Sequence, residues 1–211
     1  MKKIMLSLAL MVGLGTATQV SAQKVDLGVK ADANMSNFIL SDLDNVESNL
    51  GFGASLGGFA KINFTDHFAL QPELLFHFKT SEIKNNPAGN SFEDYQYFGA
   101  EIPVYAVGQM NLGSGTGYIG VGPYVGLGFD ARYKSDNDNA EDLKLYKEYD
   151  NKKSALQRFD FGAGIMIGYE FEAGIQINAG YKIGVIDALN AGKDDATMLP
   201  QTISLGLGYR F

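Results

Sequence analysis

The last ten residues set the strongest constraint on what this chain can fold into. Ile203, Leu205, Leu207, Tyr209 and Phe211 alternate with Thr202, Ser204, Gly206, Gly208 and Arg210, and a period of two puts each set on its own face of a strand. A face of Gly, Ser and Arg builds no dry core, so the apolar face must meet an apolar solvent. About eight stretches repeat this alternation, and the connections between them are alternately long and short. That is the pattern of strands with lipid on one side and a lumen on the other. It predicts an all-β fold, an eight-stranded antiparallel transmembrane up-and-down β-barrel.

The first residues read as a targeting segment. Lys2 and Lys3 precede an apolar run from Ile4 to Leu14, and Val20-Ser21-Ala22 supplies small residues before a cleavage point. The expected organisation is a cleaved signal peptide over 1–22 and one outer-membrane barrel domain over 23–211. Losing the two lysines takes the formal net charge from -7 to -9, which argues against nucleic acid as a partner. No later run is apolar enough for a spanning helix. The chain has no cysteine, so disulfides and thiolate metal sites are excluded and rigidity must come from a closed hydrogen-bonded sheet.

The strands are expected at about Val25 to Asn34, Leu50 to Phe64, Phe68 to Lys79, Tyr95 to Met110, a fifth after the Gly113–Gly117 turn, Phe159 to Phe171, Gly174 to Ile186, and the closing strand. Long loops lie outside and short turns in the periplasm. Sites near Asn45, Asn86, Asp138 and Lys193 are therefore expected at the cell surface, and Asp66, Ser114 and Glu172 on the periplasmic side. Pro72, Pro103 and Pro123 count against a central position in a sheet. The charged stretch from Tyr133 to Gln157 reads as a solvated loop, with a short surface helix or a cover over the barrel mouth as alternatives.

Gln71-Pro72-Glu73-Leu74-Leu75-Phe76, Glu101-Ile102-Pro103-Val104, Gly122-Pro123-Tyr124-Val125-Gly126, Phe159-Asp160-Phe161-Gly162 and Gly206-Leu207-Gly208-Tyr209-Arg210-Phe211 resemble the PorT-like "porin family" outer-membrane β-barrel domain. The likeness runs over essentially the whole mature chain. Near Tyr181, where the family would carry an arginine, this sequence has Lys182. The resemblance implies an integral outer-membrane protein of eight strands, with Tyr209 and Phe211 forming a terminal signal read by the barrel-assembly machinery. One branch of the family is linked to protein secretion.

Three motifs invite chemical readings. Gly53-Ala54-Ser55-Leu56-Gly57 matches a nucleophile elbow, but it lies in an alternating strand rather than a strand-to-helix turn. Pairing Phe64 with Phe68 sets Ser55 opposite His77, giving either a lumen nucleophile and base or a satisfied polar pair, and the second reading is preferred. Gly115-Thr116-Gly117-Tyr118-Ile119-Gly120 opens a strand where a dinucleotide site needs a helix. Asp136-Asn137-Asp138 starts like a calcium loop but meets Glu141 and Lys147 where glycine and the bidentate acid belong. No cofactor is expected, and two histidines make a transition-metal site improbable.

Parity places Asp26, Asp32, Glu73, Glu101, Asp130, Asp160 and Glu170 on the lumen side with Lys30, Lys61, Lys79, Arg132, Lys182, Arg210 and His77. Opposite charges in a narrow space should pair and plug it. Asp26 and Arg210 are expected to meet where the first and last strands close. The inward glycines either offset Phe59, Tyr105 and Tyr124 or leave a small wet cavity. The functional expectation is a bacterial outer-membrane barrel without enzymatic activity, embedded in outer-membrane lipid. It would act as a structural or interaction protein whose external loops meet an extracellular or envelope protein. The rivals are a narrow solute pore, a lipid-modifying enzyme using Ser55, and a soluble lipocalin-like barrel, the last disfavoured by the apolar exterior.

Overall fold

Strong alternation with β-branched and aromatic residues yields strands and almost nothing else. The computed structural model describes residues 24–41, 46–85, 92–134, 143–146, 157–188 and 197–211; segment 1–22 and the sites near Asn45, Asn86, Asp138 and Lys193 lie outside them. The strands are β1 (Lys24–Ser41), β2 (Val46–Asn63), β3 (Phe68–Asn85), β4 (Phe92–Leu112), β5 (Gly115–Lys134), β6 (Leu143–Lys144), β7 (Phe159–Phe171), β8 (Ile175–Gly184) and β9 (Thr197–Arg210). All but β6 form one antiparallel ring in which each strand pairs with its sequence neighbour, and β1 pairs with β9 to close it. The molecule is an eight-stranded up-and-down barrel.

Closure runs in continuous register from Gly28↔Arg210 to Ser41↔Thr197, with the Phe211 amide donating to Leu27 O at 2.9 Å. The short turns share the rim where β1 begins and β9 ends, the periplasmic rim of an outer-membrane barrel. In one of them Leu112 pairs with Gly115, and Gly113 takes a φ of 63°. Only a residue without Cβ enters that left-handed region freely, and such turns suit the twist of a hairpin.

Apolar side chains cover the outer wall. Phe52, Leu56, Ile119, Ile167, Leu205 and Phe211 are among the most exposed, a surface that water would not tolerate at this extent and that lipid requires. Aromatic pairs mark its edges: Phe64–Phe68, Tyr169–Phe171 and Tyr209–Phe211 at the turn rim, and Phe98–Phe129 toward the loop rim.

Several strands exceed their sequence-based limits. β1 continues through the polar stretch to Ser41 and β3 runs to Asn85, because backbone pairing continues above the membrane whatever the side-chain pattern. The prolines are accommodated within the ring, contrary to the positional rule. The ladder lapses between Pro72↔Val104 and Leu75↔Glu101, and between Pro103↔Tyr124 and Ala106↔Val121. It resumes on either side of each gap, so only short interruptions result.

A second departure changes residue assignments. The β4–β5 register slips between Phe98↔Asp130 and Gly99↔Gly128, leaving Phe129 as a bulge. The extra residue turns everything beyond it to the other face. Ala131 therefore points inward, fully buried against Phe38, Leu145 and Met198. Asp130 and Arg132, expected in the lumen, lie on the outer wall with side chains 38% and 40% exposed and paired to each other. Cysteine at position 132 should accordingly react with an impermeant maleimide on whole cells while cysteine at 131 stays protected; equal labelling would show that the alternation continues without a slip.

Candidate functional site

The lumen is where this sequence concentrates charge. The interior rows place Asp26, Lys30, Asp32, Lys61, Glu73, His77, Lys79, Glu101, Asp160, Glu170, Lys182 and Arg210 inside the ring, all buried or half-buried. They form three groups stacked from the turn rim toward the loop rim.

At the turn rim Glu170 accepts from Arg210 Nε at 2.6 Å and from Gln176 at 2.7 Å, with Lys61 Nζ 3.5 Å away. Asp26 lies 3.8 Å from Arg210 Nη1 and accepts from Asn63 at 2.9 Å. The first and last strands thus meet through the expected Asp26–Arg210 contact, but the shorter bond of Arg210 is to Glu170 on β7. The arginine ties three strands together rather than two.

In the middle, Lys30 donates to Glu73 at 3.2 Å and sits 3.6 Å from Asp32. Gln71 donates to the other Glu73 oxygen at 2.9 Å. Ser55 and His77 are direct cross-strand partners, as the turn register implies. Their polar atoms point elsewhere: Ser55 Oγ donates to Asp32 at 2.9 Å, and His77 Nδ1 lies 3.5 Å from Asn34 Nδ2. With Asn34 donating, the imidazole proton sits on Nε2, 3.1 Å from Glu101 Oε2 but not aligned for a hydrogen bond.

Above them, Glu101 on β4 receives Lys79 at 2.5 Å and Lys182 on its other oxygen. A single carboxylate with almost no exposure is thereby held by two cations, the condition under which a buried charge is tolerable. Tyr124 OH donates to Asp160 at 3.0 Å. Lys61, Lys79 and Lys182 also lie 5.5, 5.7 and 5.7 Å from the ring centroids of Tyr118, Tyr97 and Tyr124, a favourable placement for a cation.

Inward glycines make room for these rings. Phe59 lies over Gly28, Tyr105 over Gly164, Tyr118 over Gly168, and Tyr124 over Gly162, where an added Cβ would come 2.6 Å from the ring. The glycines offset the aromatics, as the narrow interior of eight strands requires. The neutral partners Asn34, Ser55, Gln176 and Asn178 are as deeply buried as the charges; the same parity that located the charges locates them. The loop-rim cover, which the sequence offers only as an alternative to a solvated loop, is present in the described residues. Lys144 pairs with Arg132, Leu145 inserts beside Phe38 and Met198, and Tyr146 lies over Gly128. Part of the charged loop therefore does cover the mouth. Among the described residues, no three His, Cys, Asp or Glu side chains group to hold a metal ion.

A closed sheet with an apolar wall and an ion-paired interior defines a transmembrane barrel protein. The sequence profile of the outer membrane protein beta-barrel domain matches residues 6–211; the chain belongs to that family and resides in the bacterial outer membrane. Among solved structures, the outer membrane protein OprG of Pseudomonas aeruginosa is 14% identical, with a TM-score of 0.54 over 90% of this chain and 98% of that one. Neisserial surface protein A is 16% identical, with a TM-score of 0.48 over 89% and 99%. The attachment invasion locus protein Ail of Yersinia pestis is 15% identical, with a TM-score of 0.46 over 89% and 99%. At these identities the likeness concerns the fold. No curated protein sequence matches the chain.

The closing cluster makes a thermodynamic prediction. In urea unfolding, Arg210→Ala and Glu170→Gln should be non-additive, coupling by about 0.5–3 kcal/mol. The coupling of Arg210→Ala with Asp26→Ala should be smaller, because that contact is longer and Asn63 also holds Asp26. Additive losses in both cycles would remove the cluster from the account of closure.

Proposed function

We propose that this protein is a closed outer-membrane barrel of the PorT-like porin group, acting as a structural or interaction protein through its external loops. The observation that carries this reading is the lumen itself. From Arg210 at one rim to Leu145 at the other, successive layers of paired or packed side chains occupy the interior. A conducting path would have to break several buried ion pairs, each costly to open. With transport disfavoured, contacts with other molecules fall to the surface, where long connections are the usual seat of function. Tyr209 and Phe211, outward on the last strand, suit recognition by the barrel-assembly machinery before closure. Purified barrel in a planar bilayer should give no stable open-channel current; steady single-channel steps would overturn the closed-lumen reading in favour of a pore.

Ser55 supports a structural rather than a catalytic role. The residue is 5% exposed and its hydroxyl is committed to Asp32, away from both lipid and His77. Any lipid hydrolysis by purified barrel should be unchanged by Ser55→Ala. Activity that disappears with this one hydroxyl would establish the enzyme instead.

A further inference from the structure

We propose that the mouth of the lumen is a binding site for a small organic ammonium ion, with Asp160 as its counter-ion and Tyr97 and Tyr146 as aromatic walls. Among the described lumen carboxylates, Asp26, Asp32, Glu73, Glu101 and Glu170 each contact a lysine or arginine. Asp160 contacts none. Its Oδ2 accepts the Tyr124 hydroxyl at 3.0 Å, and its Oδ1 is shielded from water with no hydrogen-bond partner. A buried carboxylate oxygen left without a donor is costly, and the deficit here is of charge as well as of a hydrogen bond. A water molecule supplies the second and not the first.

Asp160 lines a cavity of about 60 Å³ shared with Tyr97, Tyr146, Ile186, Ala188 and Pro200, and with the cationic side chains of Lys79 and Arg158. Carboxylate and aromatic faces around a small, largely apolar space are the elements that recognise an alkylammonium group. The Tyr146 ring already accepts a cation, since the Arg158 guanidinium stands 5.0 Å from its centroid. Lys79 lines the same cavity but is held by Glu101 at 2.5 Å, and swinging it to Asp160 would weaken the Glu101 cluster. An external ammonium satisfies Asp160 without that loss.

The test is a titration of folded barrel in micelles with butylammonium, butanol and butyrate, following the methyl NMR signals of Ile186 and Ala188. Butylammonium should give saturable shifts in the millimolar range, and the two isosteric controls should give none. Asp160→Asn should weaken binding by at least about tenfold, and Tyr146→Leu severalfold. Absence of saturation in the native barrel, an equal response to butanol, or unchanged affinity in Asp160→Asn would each overturn the proposal. If Asp160→Asn does not fold, the comparison of butylammonium with butanol and the Tyr146→Leu titration decide it.

Discussion

Every feature of this protein depends on the absence of water around its wall. In hydrocarbon a backbone N–H or C=O without a partner costs several kcal/mol, about as much as many single side-chain contacts contribute together. A sheet can meet that demand only by having no edge. The pairing of β1 with β9 is therefore the contact on which the others rest: without it two full rows of peptide groups would face lipid. The cross-link of β1, β7 and β9 through Asp26, Glu170 and Arg210 stands at that seam, at the rim where β1 begins and β9 ends.

Closure with eight strands then dictates the interior. The enclosed space is about wide enough for side chains and no more, so each inward residue is chosen against those facing it. Tyrosines sit over glycines because the ring of one strand needs the volume that a side chain on its neighbour would take. Lysines are admissible because a carboxylate and a tyrosine face await them. The outer wall is nearly free of such constraints, since any apolar side chain of moderate size suits lipid. Specificity of fold thus resides in the polar half of the pattern, the reverse of a soluble domain.

That inversion explains what the sequence revealed. Parity alone identified the inward charges of β1, β2, β3, β4, β7, β8 and β9, and the three-residue turn at Thr65–His67 was enough to align Ser55 with His77. It misplaced Asp130 and Arg132, because the bulged residue Phe129 is apolar and so is Ala131, the next residue of the same parity. Phe129 and Ala131 both suit an outward position, so the alternation looks unbroken across the slip. The only trace was chemical: a strictly alternating strand would have directed a tiny Ala131 to lipid between two charges. Partner choice was less legible still. Nothing in the sequence indicates that Arg210 prefers Glu170, since the distance depends on barrel stagger, which the polar loops do not encode.

The same stagger accounts for where the molecule can vary. β4 and β5 have 21 and 20 residues, whereas β7 and β8 have 13 and 10, so the wall is lower on one side of the loop rim. Above β7 and β8 the upper parts of β5 and β9 keep β4 and β1 as partners but have no strand of the ring on their other side, and short segments satisfy backbone groups there instead. Gly128 donates to Arg158 O at 2.7 Å, Leu145 to Ala131 O at 2.9 Å, and Ala188 to Met198 O at 2.9 Å. These segments stand above the lipid-facing ladder and are joined by fewer bonds than a complete strand pair. Local opening free energy falls where backbone pairing and apolar contact are sparse. The loop-rim notch is thus a part of the described wall that can rearrange without exposing peptide groups to hydrocarbon, and Asp160, which contacts no lysine or arginine, lines the cavity beneath it.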